Sequence, residues 1–100
     1  LINESNFTAV FVVMDNLAIA VMSALRDEGK NIPQDCAVIG FDNNEQVAGF
    51  TYPPLTTVNN PFYVSGKTAA EILLNKINHT NFERKPLPVS LVIRQSCGCL

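Results

Sequence analysis

Histidine, clustered basic charge, glycine-rich loops and long apolar runs are all scarce in this chain of 100 residues. Each scarcity removes a class of function. The single histidine, His79, falls in a polar stretch at the end of a predicted helix. A solvated or capping role suits it better than metal binding or proton transfer. Ser65, Ser90 and Ser96 have neither an adjacent base nor the glycines of a nucleophile elbow. No glycine-rich phosphate loop is present, and no metal-ligand spacing links Asp15 and Asp42 to other ligands. No catalytic residue, metal site or cofactor is therefore assigned. The seven basic residues are dispersed, with Arg84-Lys85 the densest pair. Nucleic-acid binding needs a clustered basic face, and no helix-turn-helix pattern appears, so this segment does not itself hold DNA. No apolar run reaches the ~18 residues of a membrane span. The opening Leu1-Ile2-Asn3-Glu4 has neither an initiator methionine nor a secretory pattern, so the reading is of a chain that begins mid-protein.

Three cysteines, an odd number, do not suit a secreted disulfide framework. Cys97-Gly98-Cys99 can be read as a metal or redox pair, but a lone C-x-C without a partner pair is weak, and all three are read as reduced thiols. Cys36, at the start of a predicted strand, is given a packing role. The Asn6-Phe7-Thr8 and Asn78-His79-Thr80 glycosylation patterns are short enough to be chance matches.

What is present is globular material, with 47% apolar and 16% charged residues and a net charge of −2. Thr8 to Met14 is a continuous apolar run without alternation, the pattern of a strand buried on both faces. Asp15 follows as a candidate N-cap. Asn16 to Glu28 reads as a helix with Leu17, Ala18, Val21, Met22 and Leu25 on one stripe, closed by Gly29. Cys36 to Phe41 is a second strand, completing a βαβ unit. Glu45 to Phe50 is a candidate short helix, and Leu55 to Val58 a third strand. Asn60 can cap and Pro61 can open a helix that runs to about Asn78, with Phe62, Ala69, Ile72, Leu73 and Ile77 apolar. Pro88 to Arg94 is a last strand. The class is α/β, mainly a parallel sheet flanked by helices.

Ligands of open parallel sheets bind beyond the carboxyl ends of the strands. Three consecutive strand ends here carry Asp15-Asn16, Asp42-Asn43 and Asn59-Asn60, whose side chains exchange hydrogen bonds with hydroxyls or amides. Phe62 adds an apolar or stacking wall. Such a lining suits a sugar or nucleoside-like ligand. Asp15 and Asn60 read equally well as helix caps, Asp42-Asn43-Asn44 as a turn, and Phe62 as core.

In order along the chain, Asp15-x-x-Ala18, Ala24-Leu25, Gly29, Ile32-Pro33-Gln34-Asp35 and Val38-Ile39-Gly40-Phe41-Asp42-Asn43 form a series that resembles the LacI/GalR regulators. Pro53-Pro54-Leu55-Thr56-Thr57-Val58, Gly66-x-x-Ala69-Ala70-Glu71-x-Leu73-Leu74 and Leu91-Val92-Ile93-Arg94-Gln95-Ser96-Cys97-Gly98 extend it over nearly the whole chain. The resemblance implies a type I periplasmic-binding-protein-like fold, two α/β subdomains with a ligand between them. Residues 1–100 would be a partial effector-binding domain, its C-terminal third, without the N-terminal subdomain or any DNA-binding head. By position, Asp42 matches a ligand-contacting aspartate, Asn60 and Phe62 a polar and an aromatic contact, and Asp15 the aspartate after the first strand. The family's usual asparagine before that aspartate is Met14 here, which points to a more apolar ligand unless Asn16 turns inward. The resemblance further implies a cytoplasmic, non-enzymatic homodimer that meets its partner through Ala20–Glu28 and Gln46–Tyr52 and touches DNA only through a region not present here. A sensor module fused to a kinase, cyclase or other output domain, or a transport binding protein, would use the same fold.

Overall fold

The computed structural model describes residues 6–99. In chain order the elements are β1 (Ala9–Phe11), α1 (Asp15–Asp27), β2 (Ala37–Asp42), β3 (Thr56–Asn59), α2 (Phe62–Ile77) and β4 (Ser90–Val92). They divide between two compact units. The first runs to Asn59 and resumes at Ser90, and the second is Asn60–Val89.

The first unit is a four-stranded sheet in the order β1-β2-β3-β4. β1 and β2 pair in parallel, as do β2 and β3, with Asp42 opposite Asn59. β4 returns antiparallel to β3, with Asn59 opposite Ser90. The expected mainly parallel α/β architecture is what the chain adopts. β1-α1-β2 forms because an apolar β-branched run, a helix-forming segment and a second apolar run follow one another at the spacing a crossover needs. α1 ends as a Schellman motif. Gly29 adopts φ +73, its N–H donates to the Arg26 carbonyl at 2.9 Å, and the Lys30 N–H reaches the Leu25 carbonyl at 2.9 Å.

The core is the contact between α1 and the sheet. Ala18, Met22 and Leu25, three and four residues apart, are buried together with Val12, Cys36, Val38, Ala48 and Leu55. Val38 and Gly40 alternate along β2 to present this face.

Four expectations need correction. β1 is three residues long rather than seven, and it is not buried on both faces: Ala9 is exposed and Phe11 is 57% exposed. Among the described residues of this unit only α1 packs on the sheet, and Phe11 stands edge-on to Phe41 with ring centroids 6.4 Å apart. Leu17 falls off the buried stripe and is half exposed. Glu45 to Phe50 is a succession of turns, opened by hydrogen bonds from the Val47 and Ala48 N–H groups to the Asn44 carbonyl. β4 spans Ser90–Val92 rather than Pro88 to Arg94; Pro88 cannot donate to a ladder.

The second unit is α2 and the segment that follows it. Its N-cap position is Pro61, one residue later than expected, and Asn60 makes no side-chain cap. Ile72 is half-buried, while Phe62, Leu73 and Ile77 are exposed. Its C-terminus repeats the Schellman pattern with a non-glycine residue in the left-handed region: His79 has φ +55, and the His79 and Thr80 N–H groups donate to the carbonyls of Lys76 and Asn75. Among the described residues no helix is long and apolar enough to cross a membrane.

Candidate ligand-binding rim

The chain leaves β2 through two non-glycine residues at positive φ, Asp42 at +110 and Asn43 at +54. Asparagine and aspartate tolerate that region better than other side chains, but it still costs free energy, which the surroundings must offset. They do so through a network centred on Asp15. This aspartate is 1% exposed. Its Oδ1 accepts a hydrogen bond from the Thr57 hydroxyl at 2.6 Å, and its Oδ2 accepts from the Asn44 backbone N–H at 2.7 Å. Thr57 Oγ1 in turn accepts from the Asn43 N–H at 3.3 Å. One carboxylate thus ties the start of α1 to β3 and to the turn after β2.

A second chain of hydrogen bonds orders the next shell. The Arg94 guanidinium donates to Asn43 Oδ1 at 2.9 Å and to the Leu55 carbonyl at 2.8 Å. The Asn43 amide donates to Asn59 Oδ1 at 3.0 Å, and Asn44 Oδ1 accepts from the Gln46 N–H at 3.1 Å. The carboxyl ends of β2 and β3 are therefore cross-linked side chain to side chain. Gly40 makes this possible, because a Cβ there would overlap Asp15 Oδ1 and lie 2.9 Å from Leu55 Cδ2.

The structure distributes the predicted site residues unevenly. Asp15 and Asp42 both lie in the first unit, Asp15 within this network and Asp42 at the end of β2 beside Asn43. Asp15 is interior: both its oxygens accept from the protein, and it does not cap α1, whose N-cap position is Met14 without a side-chain cap bond. The cap expectation fails because Thr57 and Asn44 hold the carboxylate away from the helix N–H groups. Asn16 is exposed at the first turn of α1, and Asp42 is half-buried, outside the network. Asn60 and Phe62 belong to the second unit. Asn60 is half-buried with its carbonyl accepting from the Phe62 N–H at 2.8 Å, and Phe62 is 59% exposed. Sequence reasoning missed Thr57 and Arg94. Arg94 carried one signal, an isolated cation at the end of an apolar strand. Thr57 carried only its place in the Pro53-to-Val58 signature, since threonine is unremarkable in a strand. Among the described residues no group of three His, Cys, Asp or Glu side chains is placed to hold a metal ion.

Away from the rim, α1 and the turns after Asn44 enclose a groove of about 480 Å³, lined by Ile19, Met22, Val47 and Phe50 among others. Arg26 Nη1 donates to the Tyr52 carbonyl at 2.6 Å across it. Phe50 and Tyr52 stand 84% and 83% exposed beside it.

The sequence profile of the periplasmic binding protein-like domain matches residues 2–97. The repressor MelR of Bacillus subtilis is 38% identical over 92 residues, which is 91% of this chain and 26% of MelR. The repressor PurR of Vibrio atlanticus is 45% identical over 82 residues, 82% of this chain and 24% of that protein. A solved LacI family transcriptional regulator from Enterococcus faecalis, with bound ribose, superposes with a TM-score of 0.82 at 35% identity, covering 96% of this chain and 36% of its own. The chain spans about a quarter of the length of these curated relatives. Profile, relatives and fold agree: the chain belongs to the periplasmic-binding-protein-like family, in the form carried by LacI-type transcription regulators.

Proposed function

We propose that this chain is the C-terminal part of an effector-binding domain in a transcription regulator, and that its ligand is a sugar or a nucleoside-like molecule. The observation that carries the reading is the pre-ordered polar rim at the carboxyl ends of β2 and β3, anchored on buried Asp15. A ligand site gains affinity when its polar groups are ordered before the ligand arrives. The ribose bound to the E. faecalis regulator supports a polyhydroxylated ligand. Asp42, half-buried and outside the network, has a carboxylate available for hydroxyl donors. Asn16, Asn60 and Phe62 are assigned as further contacts, each by its own place in the chain. Asp15 is assigned to positioning rather than contact.

Ligand would act by preferring one closure state of the complete domain, because equal binding to two states shifts neither. The protein works in the cytoplasm, without catalysis, as a homodimer that meets its partner through Ala20–Glu28 and Gln46–Tyr52. The groove there, with exposed Phe50 and Tyr52 at its edge, supports that surface. Phe50→Asp should shift the full-length protein from dimer to monomer in sedimentation; an unchanged dimer rejects the assignment. DNA would be held by a region outside this chain.

The ligand assignment is tested on the full-length protein by a thermal-shift panel of sugars and nucleosides, followed by calorimetry of the best ligand against Asp42→Asn. Loss of one charged hydrogen bond should weaken binding by about tenfold to a hundredfold. A variant that binds as the parent does removes Asp42 from the site. Ligand bound equally well by the isolated 100-residue chain would contradict a site that needs the rest of the domain.

A further inference from the structure

We propose that Cys97 and Cys99 form a two-thiol site that a low-molecular-weight disulfide converts into an intrachain disulfide. The pair lies in the turn after β4, where the Cys97 sulfur is 3.8 Å from the Arg94 carbonyl. Cys97 is held in place by its neighbours. Ser96, fully buried, donates through its hydroxyl to the Val38 carbonyl at 2.6 Å and accepts from the Thr56 N–H at 2.8 Å. The Gln95 and Ser96 N–H groups both donate to the Pro54 carbonyl at 3.0 Å. Gly98 then bends the chain at φ +75, and its N–H donates to the Gln95 carbonyl at 3.4 Å.

That bend brings the Cys99 N–H to 3.3 Å from the Cys97 sulfur. The Cys99 sulfur is three bonds from that nitrogen, so rotation about its own side-chain bond sweeps it toward Cys97. An i, i+2 pair spans at most about 7 Å between Cα atoms even when extended, and any bend at the residue between them brings it further into the ~4–7 Å that a disulfide accepts. Cys97 is half-buried and Cys99 exposed, whereas Cys36 is fully buried under α1. Reagents therefore reach the pair and not the third thiol.

The two thiols are also unequal. Partial burial alone would raise the Cys97 thiol, but hydrogen bonds from the Cys99 and Thr56 side chains and from nearby backbone outweigh it and hold it below its ordinary value. Cys99 is raised, first by its hydrogen bond with Cys97 and then by lost hydration. Cys97 is thus the attacking sulfur and Cys99 the resolving one. The Cys97 thiolate attacks one sulfur of RSSR, the S–S bond breaks, and RS⁻ leaves. That thiolate takes the proton of Cys99. The Cys99 sulfur then attacks Cys97, expels the second RS⁻, and closes the ring; the second RS⁻ takes the proton that Cys97 had released. Two thiols and one disulfide become one protein disulfide and two RSH.

The test treats reduced full-length protein with glutathione disulfide, quenches with acid, and reads the tryptic peptide that begins at Gln95 by mass spectrometry. The parent should lose the mass of two hydrogens from that peptide and retain no glutathione, and dithiothreitol should restore it. Cys99→Ser should trap glutathione on Cys97. Cys97→Ser should acquire glutathione on Cys99 several-fold more slowly than Cys99→Ser does on Cys97. A parent that accumulates a stable glutathione adduct, or that does not react, overturns the two-thiol site. Equal rates for the two variants overturn the assignment of Cys97 as attacking group. Every readout is the mass of this one peptide, so failure here leaves the ligand assignment at the rim untouched.

Discussion

Asp15 lies at the first residue of a helix, yet both its oxygens are turned away from the helix amides to serve Thr57 and Asn44. A buried carboxylate persists only when its charge is met by donors. This one meets its donors from two different segments, so it fixes the shape of the rim and not merely the helix entry. Gly40 shares that duty by leaving room. Gly40→Ala should destabilise the fold by about 1–3 kcal/mol, near the upper end because the opposing oxygen is locked by two hydrogen bonds. Chemical denaturation reads the loss, and an unchanged midpoint would mean that Asp15 can withdraw freely. Part of this is legible in the sequence: polar residues at successive strand ends mark the edge, and Asp15 and Asp42 stand at two of them. What the residue string could not convey is which aspartate turns inward. That choice is made by partners 29 and 42 positions away, contacts that no local pattern encodes.

At the scale of elements, the two helices end alike but at different cost. Gly29 takes the left-handed position after α1 freely, whereas His79 occupies the same position after α2 with a side chain. The left-handed region costs a non-glycine residue about 1–2 kcal/mol. His79→Gly should therefore stabilise the second unit, by up to about 1 kcal/mol, seen as slower amide exchange over the last turn of α2; faster exchange would show that the imidazole contributes more than the backbone loses. The loop before β2 has its own clamp. Asp35 accepts from the Asn31 N–H at 2.7 Å and from its amide at 3.0 Å. The backbone bond first, then the side-chain bond, holds its carboxyl below the ordinary aspartate value. With the folded-state pKa depressed, the clamp contributes above the unfolded value and is lost as pH falls through the folded one. Amide exchange at Asn31 should accelerate in that acidic window, and not in Asp35→Asn. Element order and type were readable from apolar runs, glycines and prolines. Strand lengths were not, because Thr8 to Met14 is apolar enough for a two-faced strand while only one face is covered within its unit. The same composition would be read identically with a second helix in place.

For the whole molecule, the sheet closes in an unusual place. Asn59 and Ser90 face each other across one antiparallel rung, and everything between them, Asn60–Val89, forms the second unit. The chain therefore departs and comes home through a doorway one strand spacing wide. A tight two-residue turn, such as Asn-Gly, can bridge neighbouring antiparallel strands of this kind. Grafting that turn in place of Asn60–Val89 should leave β1 to β4 and α1 as a shorter, self-sufficient protein with the Asp15 network in place, visible as a preserved Thr57 hydroxyl signal in NMR. The 30-residue detour of Asn60–Val89 would then be a replaceable cassette, exchangeable between relatives without rebuilding the sheet that carries it.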